Sequence, residues 1–220
     1  MLAPHLEAVE LPLRCPLVVA DHPITHVYFP GQGLASVTAR THSGSRSDVA
    51  LFGRDGMSGV AVVLGSDSSP FDCAMQIPGA GHRIAVKALR QAMADSPTLQ
   101  ARLLAYAHVA FIQTGFTAVA NAAFTLEPRL ARWLLMTQDR VDGNQMPLTH
   151  ERLARILAVR RSSVTLALQE LEGRRLIRAD RGSITILDRK GVVAAAAGSY
   201  GRPELEYENQ IGPMSPALRG

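Results

Sequence analysis

The sequence predicts an α+β protein with a β-rich N-terminal domain, one long helix and a winged helix-turn-helix. Short β-prone runs punctuated by Gly, Pro and Ser fill residues 11–86, and an apolar stretch without proline covers residues 98–124. Two short amphipathic helix patterns and a hairpin pattern then cover residues 148–188. The expected domains are residues 1–94 (β domain), 95–126 (dimerisation helix), 127–200 (winged helix-turn-helix) and 201–220 (tail).

The candidate strands of the N-terminal domain are short and lie between turn signals such as Pro30-Gly31-Gln32-Gly33 and Pro78-Gly79-Ala80-Gly81. Many short strands at this spacing favour a β-sandwich, a jelly roll or a barrel. The predicted strands are His26–Phe29, Leu34–Ala39, Asp48–Phe52, Val60–Leu64, Phe71–Gln76 and His82–Val86.

The residue pattern changes from that of strands to that of helices near Lys87. A short helix is predicted from Lys87 to Ala94, and Ser96-Pro97 is a favourable start for the next, with Ser as the N-cap and Pro at the first helical position. From Thr98 to about Phe124 a single long helix is expected, and another from Arg129 to Arg140. Seven residues recur on one side of the long helix: Leu99, Leu103, Tyr106, Ala110, Gln113, Thr117 and Ala120. Such a face must be buried, either against a second copy of the chain or against the β domain alone.

Two short helices joined by a tight turn are predicted between Thr149 and Gly173. Thr149 is the expected N-cap of the first helix, and Glu151 stands in its first turn, where the helix dipole favours an acid. Ala158-Val159 connects it to the second helix, Arg161 to Gly173, which Gly173 is expected to end as a strain-free C′ residue. The predicted buried residues are Leu153, Ala154 and Leu157 in the first helix and Val164, Leu168 and Leu171 in the second.

A β-hairpin follows, with strands at Leu176-Ile177-Arg178 and Ile184-Thr185-Ile186 and a turn at Asp180-Arg181-Gly182. Residues 145–191 contain ten Lys or Arg and five Asp or Glu, a net charge of +5, whereas the whole chain carries +4. All other residues therefore sum to −1. A positive charge confined to one segment predicts contact with DNA phosphates. A purely structural pair of packed helices is the alternative.

Composition excludes several other classes. Cys15 and Cys73 are too few for a disulfide framework or an iron-sulfur cluster. Of the seven histidines only His22 and His26 lie close together, and Pro23 breaks any helix that would align them, so no metal or other cofactor is expected. The N-terminus has no signal-peptide pattern, and no apolar run is expected to span a bilayer, so a cytoplasmic protein is expected.

The order of β domain, long helix and winged helix-turn-helix resembles the Crp/Fnr superfamily of bacterial transcription regulators. Residues 148–188 carry the resemblance most strongly, through Thr149, Leu153, Ala154, Val159, Arg161, Val164, Leu168, Leu171, Leu176-Ile177, Gly182 and Ile184. The resemblance implies a cyclic-nucleotide-binding-like jelly roll, a homodimer formed through the long helix, double-stranded DNA as a partner and RNA polymerase as a further one.

The same resemblance implies that the second helix of the motif enters the major groove and that Arg161 reads guanine. Ser162 and Leu166 fall at other base-reading positions, where better-known members carry a glutamate and a second arginine. Further contacts to phosphates or base edges are expected from Arg160, Ser163 and Gln169 on or near this helix, from Thr149 and His150 on the first helix, and from Arg178 and Arg181 on the wing.

The N-terminal domain departs from the family where a cyclic nucleotide would bind. A Gly-rich loop is present at residues 53–59, but the expected glutamate is missing and Pro70 to Gln76 contains no arginine. Arg54 and Asp55 are candidate substitutes, although a structural turn is favoured. The domain is therefore expected not to bind cyclic nucleotides, and the sequence does not indicate which other effector it would bind.

Two other classes of function stay open. One is an enzyme or a small-molecule-binding module with an incidental helix-turn-helix, although the chain has no Gly-x-Ser-x-Gly, His-Glu-x-x-His or phosphate-loop motif. The other is a protein-interaction module whose winged domain does not bind DNA. The tail from Ser199 to Gly220 has no periodic pattern and is expected to be mostly disordered, with packing on a partner subunit as the alternative.

Overall fold

The structure is a computed structural model and describes residues 2–214. Its N-terminal domain is a jelly roll of two antiparallel sheets, with strand orders β1-β7-β3 and β2-β6-β4-β5. Val27 and Ile84 of the first sheet pack against Phe52 and Met75 of the second, which encloses the core of the domain. The strands are β1 (Glu7–Leu11), β2 (Pro16–Val18), β3 (His26–Pro30), β4 (Leu34–Arg40), β5 (Arg46–Phe52), β6 (Asp72–Ile77) and β7 (Gly79–Ala85).

Three details of this domain differ from the sequence prediction. Val60–Val63 is a short helix, α1, because Gly59 adopts a left-handed conformation (φ 68°) that turns the chain, and Val62 and Val63 are buried. β-branched residues favour strands only where a pleated, half-buried surface is available. Gly79, Ala80 and Gly81, expected in a turn, instead pair with strand β1. Strands β1 and β2 were not predicted.

Helix α2 (Val86–Asp95) precedes the long helix α3 (Pro97–Ala123), and the predicted cap between them is present, since Ser96 Oγ accepts a hydrogen bond from Leu99 N at 3.2 Å. The face of α3 selected from the sequence is not the free one. Leu103, Gln113 and Thr117 of that face are buried against the same chain. A different stripe is exposed, with apolar and small residues at alternating spacings of three and four: Ala101, Leu104, His108, Phe111, Gly115, Ala118 and Ala122.

The expectation that no apolar run could span a bilayer was wrong for α3. By length and composition alone, this helix could cross a membrane, a test that the core helices of soluble proteins also pass. In the structure one side of α3 packs on β5, α1 and α2. Burial of that side accounts for part of the apolar composition, since 39% of the apolar window is buried, and the remaining apolar residues include the exposed stripe.

The C-terminal domain confirms the predicted winged helix-turn-helix. The wing is a three-stranded sheet of order β8-β10-β9, one strand more than predicted. Helix α6 includes Gly173, and the residue with positive φ is Arg175 (φ 57°), so the expectation that Gly173 ends the helix as a left-handed C′ residue was wrong. The elements are α4 (Leu126–Gln138), β8 (Gln145–Met146), α5 (His150–Ile156), α6 (Arg161–Gly173), β9 (Ile177–Asp180), β10 (Ser183–Ile186) and α7 (Arg189–Ala195).

The tail expected to be disordered contains helix α8 (Arg202–Gln210), which packs on α3 of the same chain. Pro203 and Tyr207, four positions apart, are its buried residues, and a single pair gives too short a periodic signal to detect in sequence. The Tyr207 hydroxyl donates to the backbone carbonyl of Asp55 at 2.8 Å, and Arg102 donates to the carbonyl of Gln210 at 3.1 Å. The last part of the predicted tail, residues 215–220, lies outside the described residues.

The two domains share a core and a buried ion pair. Leu34, Leu51 and Ile77 of the jelly roll belong to the same hydrophobic cluster as the helices of the C-terminal domain. Beside it, Arg140 and Asp55 form an ion pair of 2.8 Å, and their side chains are 1% and 3% exposed. Burial opposes the charge of Arg140, but the nearby acids Asp55, Asp139 and Glu204 outweigh it, so the pKa of Arg140 is raised. The arginine therefore stays charged and holds the 53–59 loop against the end of α4.

Replacement of Asp55 by Asn should leave the buried Arg140 guanidinium without its counter-charge. We expect the free energy of unfolding to fall by about 3–5 kcal/mol, as for other broken buried pairs. Asp67→Asn is the control, because it breaks an ion pair with Arg90 that lies on the surface and should cost at most about 1 kcal/mol. Urea denaturation of both variants measures the difference, and equal losses would contradict a structural role for the buried pair.

Candidate nucleic-acid interface

The helix-turn-helix is held together by caps, a strained turn and one side-chain bridge. Thr149 Oγ1 accepts a hydrogen bond from Arg152 N at 3.2 Å, which caps α5 as predicted. Ala158, in the turn between the helices, has a positive φ of 53°. His150 Nδ1 and Thr165 Oγ1 lie 2.9 Å apart and join α5 to α6. His150 is thus half-buried, and one of its ring nitrogens is engaged within the motif.

Helix α6 presents a polar face to solvent opposite its buried stripe. Val164, Leu168 and Leu171 are buried as predicted, whereas Arg161, Ser162 and Gln169 are exposed. Leu166 lies on the same outer face and is 62% exposed, an unusual environment for a leucine unless a partner covers it. Ser163 is half-buried at the edge of this face, and Arg160 precedes the helix as its N-cap residue. The structure therefore brings the predicted α6 residues to one side of the domain.

The wing supplies a second cationic position. Strands β9 and β10 pair from Asp180 opposite Ser183 to Ile177 opposite Ile186, which leaves Arg181 and Gly182 as the turn. Gly182 has φ 85°, a conformation that glycine adopts without strain. Arg178 Nε donates to the Asp180 carboxylate at 3.0 Å, so part of its charge is neutralised within the wing. Arg181 at the tip is exposed and makes no ion pair with any residue from 2 to 214.

The ten basic residues of the segment fall into three groups by their partners. Four are paired with acids: Arg155 with Glu151, Arg174 with Glu127, Arg178 with Asp180, and Arg189 with Asp139. Within the described part of the chain, five are exposed and make no ion pair: Arg160, Arg161, Arg175, Arg181 and Lys190. The tenth, Arg152, is half-buried and donates to backbone carbonyls. Arg175 was not singled out from the sequence, although its charge was counted. Arg175 lies between α6 and β9 and has a left-handed backbone conformation, which the sequence did not predict.

A contact between the domains involves Arg152 of α5. Its guanidinium donates to the carbonyl oxygens of Gln76 and Pro147, which ties the motif to the end of strand β6. Burial lowers the pKa of Arg152, and the neighbouring Arg14 and Arg155 lower it further. Arg152 therefore serves the domain junction, and the outer face of α6 stays clear of it.

The two candidate substitutes for a cyclic-nucleotide site are used within the protein. Asp55 accepts from Gly53 N at 2.7 Å and pairs with Arg140, while Arg54 pairs with Asp142 at 2.7 Å. These contacts make the 53–59 loop a structural turn that faces α4. Among residues 2–214, no three His, Cys, Asp or Glu side chains come together in a group that could hold a metal ion.

Comparison with known proteins gives one family match, which covers residues 128–194 and is described as a Crp-like helix-turn-helix domain. FixK2 from Bradyrhizobium japonicum has a solved structure that is 15% identical, with a TM-score of 0.75 over 86% of this chain and 96% of that one. TTHB099, a transcriptional regulator of the CRP family from Thermus thermophilus, is 16% identical, with a TM-score of 0.69 over 86% and 97% of the two chains. At these identities the structural matches establish a common fold. No curated protein matches the sequence.

Proposed function

We propose, from the premise that the chain has the Crp/Fnr fold and carries a Crp-like helix-turn-helix domain, that it is a dimeric transcription regulator that binds specific DNA sequences. The observation that carries the proposal is the outer face of α6, where polar side chains and exposed, unpaired arginines share one surface. Nothing in the described residues or in the comparisons points to catalysis.

The arrangement of charges supports two roles for these residues: some contact DNA bases and others contact phosphates. Arg161 stands at the N-terminal end of α6, where a guanidinium on the outer face can reach the O6 and N7 atoms of guanine. Ser162, Leu166 and Gln169 follow on the same face, and Leu166 can contact a thymine methyl group. Arg181 at the wing tip, together with Arg160, Ser163 and the partly neutralised Arg178, is assigned to the DNA backbone or to base edges. Thr149 and His150, at the start of α5, are expected to lie near the DNA backbone.

The exposed stripe on α3 supports a homodimer. Alternating spacings of three and four are those of a two-helix seam, in which each residue packs between residues of the facing helix. Phe111 is 76% exposed and Leu104 is 42% exposed in a single chain, while Gly115 and Ala118 would allow two helices to approach closely. A parallel pair of α3 helices would place two copies of α6 on DNA, as a palindromic site requires. RNA polymerase is a further partner that this function implies.

Replacement of Arg161 by Ala should weaken binding to the preferred DNA site by about 1–3 kcal/mol and weaken binding to scrambled DNA much less. Arg181→Ala is the matched control, because a phosphate contact should be lost from both duplexes alike and the salt dependence should become shallower by about one unit of slope. Titration of both variants on specific and scrambled duplexes at several salt concentrations measures the two effects. Equal weakening of both duplexes by Arg161→Ala would exclude base reading by this residue.

Phe111→Glu should convert the dimer into a folded monomer, because each subunit would bury an unpaired charge in the seam. Leu187→Glu is the control, since Leu187 is also exposed (54%) but follows the wing strand β10, away from α3. Sedimentation velocity gives the mass, and circular dichroism confirms the fold. A wild-type monomer, or a Phe111→Glu dimer, would show that α3 is not the dimer interface.

Cyclic AMP and cyclic GMP should not raise the melting temperature. Asp55 and Arg54, the only candidates in the Gly-rich loop for a ribose and a phosphate contact, are engaged with Arg140 and Asp142. A ligand at one hundred times its Kd would add about 2.7 kcal/mol to the free energy of unfolding, which a thermal scan detects readily. A clear rise with either nucleotide would contradict the expectation that this domain does not bind them.

A further inference from the structure

His150, at the start of α5, is joined by a hydrogen bond to the edge of the outer face of α6. Its Nδ1 atom lies 2.9 Å from Oγ1 of Thr165. Thr165 is half-buried and stands one turn after Arg161, and its hydroxyl donates to the Arg161 carbonyl oxygen at 3.2 Å. The next residue on α6, Leu166, is exposed on the outer face. His150 therefore lies beside the surface that is proposed to contact DNA.

These two hydrogen bonds determine which ring nitrogen of a neutral His150 carries the proton. A hydroxyl group has a single proton to donate, and a backbone carbonyl oxygen can only accept. Because the Thr165 proton goes to the Arg161 carbonyl, Thr165 Oγ1 has to accept from His150, and Nδ1 is the donor. In a neutral imidazole the second nitrogen, Nε2, then carries no proton and can only accept.

The Nε2 atom of His150 is open to a molecule that approaches from solvent. Within residues 2–214 it has no hydrogen-bond partner, and it is not one of the buried polar atoms that lack a partner. A DNA phosphate oxygen is an acceptor, so it cannot bond to an Nε2 atom without a proton. A protonated Nε2 can donate, and its bond to a phosphate is charge-assisted. Contact with a phosphate through Nε2 therefore requires the imidazolium form.

The acids around His150 have other partners. Helix α6 and strand β5 pack on α5, and the charged residues of these three elements are Arg161, Glu170 and Glu172 on α6, Arg46 and Asp48 on β5, and Glu151, Arg152 and Arg155 on α5. Glu151 pairs with Arg155 at 3.6 Å, Glu172 accepts from Ala179 N at 3.0 Å, and Asp48 accepts from Thr38 at 2.6 Å. No carboxylate in the described ranges bonds to the His150 ring. A DNA phosphate would therefore supply the counter-charge of the imidazolium.

We propose that His150 contacts a DNA phosphate through Nε2 as an imidazolium, so that each subunit takes up one proton when it binds DNA. This contact rests on the proposed function, since it requires DNA as the partner. Imidazole groups change charge between about pH 5 and 8. Because the complex holds more protons than the free protein and free DNA, affinity rises as the pH falls through this range. Phosphates are present in every sequence, so preferred and scrambled duplexes share the effect.

The test is a titration of the full-length protein with a duplex selected from random-sequence DNA and with a scrambled duplex, at constant salt, from about pH 6 to about pH 8. We expect both duplexes to bind at least about tenfold more tightly at the lowest pH than at the highest. Calorimetric titration near the upper end, in two buffers of different ionisation enthalpy, counts the protons taken up. Binding without pH dependence or proton uptake would overturn this contact and leave DNA binding intact. Absence of binding to both duplexes at every pH would overturn the proposed function and this contact with it.

Replacement of His150 by Asn keeps a donor at the position of Nδ1 and removes the group that gains charge. At every pH this variant should bind DNA as the unmodified chain does at about pH 8, where imidazole is mostly neutral. The matched control is His82→Asn, because His82 is an exposed histidine on strand β7 of the jelly roll and its loss should leave the pH dependence unchanged. Undiminished pH dependence in His150→Asn would show that another group takes up the proton.

A second pair of variants tests the role of Thr165. In Thr165→Val the acceptor for Nδ1 is lost, so a neutral His150 can carry its proton on Nε2 and donate to a phosphate without gaining a second one. The pH dependence should become shallower in this variant, whereas Thr165→Ser keeps the hydroxyl and should keep the pH dependence. Circular dichroism shows that each variant is folded. Equal pH dependence in folded Thr165→Val and Thr165→Ser would overturn the role of Thr165, and the result for His150→Asn stands whatever the fold of these two variants.

Discussion

The buried ion pair between Arg140 and Asp55 is the contact on which the rest of the arrangement depends. Arg140 follows α4, at the entrance to the winged domain, and Asp55 lies in the Gly-rich loop of the jelly roll. The Asp55 backbone carbonyl also receives the Tyr207 hydroxyl of α8. Three parts of the chain therefore meet at one residue pair. Because buried charges are tolerated only when they are paired, each of these segments has a single favourable position.

This constraint gives the 53–59 loop a structural role. The resemblance to the Crp/Fnr superfamily implies that this loop presents a carboxylate to a ribose. Here the Asp55 carboxylate instead pairs with a buried arginine of the same chain. Gly56 packs so closely on Tyr106 of α3 that a side chain at this position would overlap the phenol. The glycines therefore allow the loop to approach α3, a packing role. Residues of this loop and of α8 also line a cavity of about 380 Å³ beside α3.

The winged domain is attached firmly to the jelly roll, yet its outer face is free. The shared hydrophobic cluster and the hydrogen bonds from Arg152 fix the inner side of the motif. The outer side carries Arg161 and the exposed Leu166, with no covering element in the described ranges. The exposed stripe of α3 lies elsewhere on the molecule, so the proposed dimer interface and the proposed DNA-binding face are different surfaces. Because the two domains share a hydrophobic core, pairing through α3 would set the spacing of two α6 helices.

The sequence by itself determined the features that depend on neighbouring residues. The caps Ser96 and Thr149, the buried stripe of α6, the position of the wing hairpin and the local excess of positive charge were all predicted. Each of them follows from spacing, capping chemistry or charge within a few turns of chain. Tertiary structure decided the rest. The apolar composition of α3 allowed several buried faces, and only packing against the jelly roll shows that the stripe through Phe111 is free. Helix α8 and the Arg140–Asp55 pair join residues far apart in sequence, and such contacts leave no periodic signal, since their energy comes from shared burial and not from local propensity.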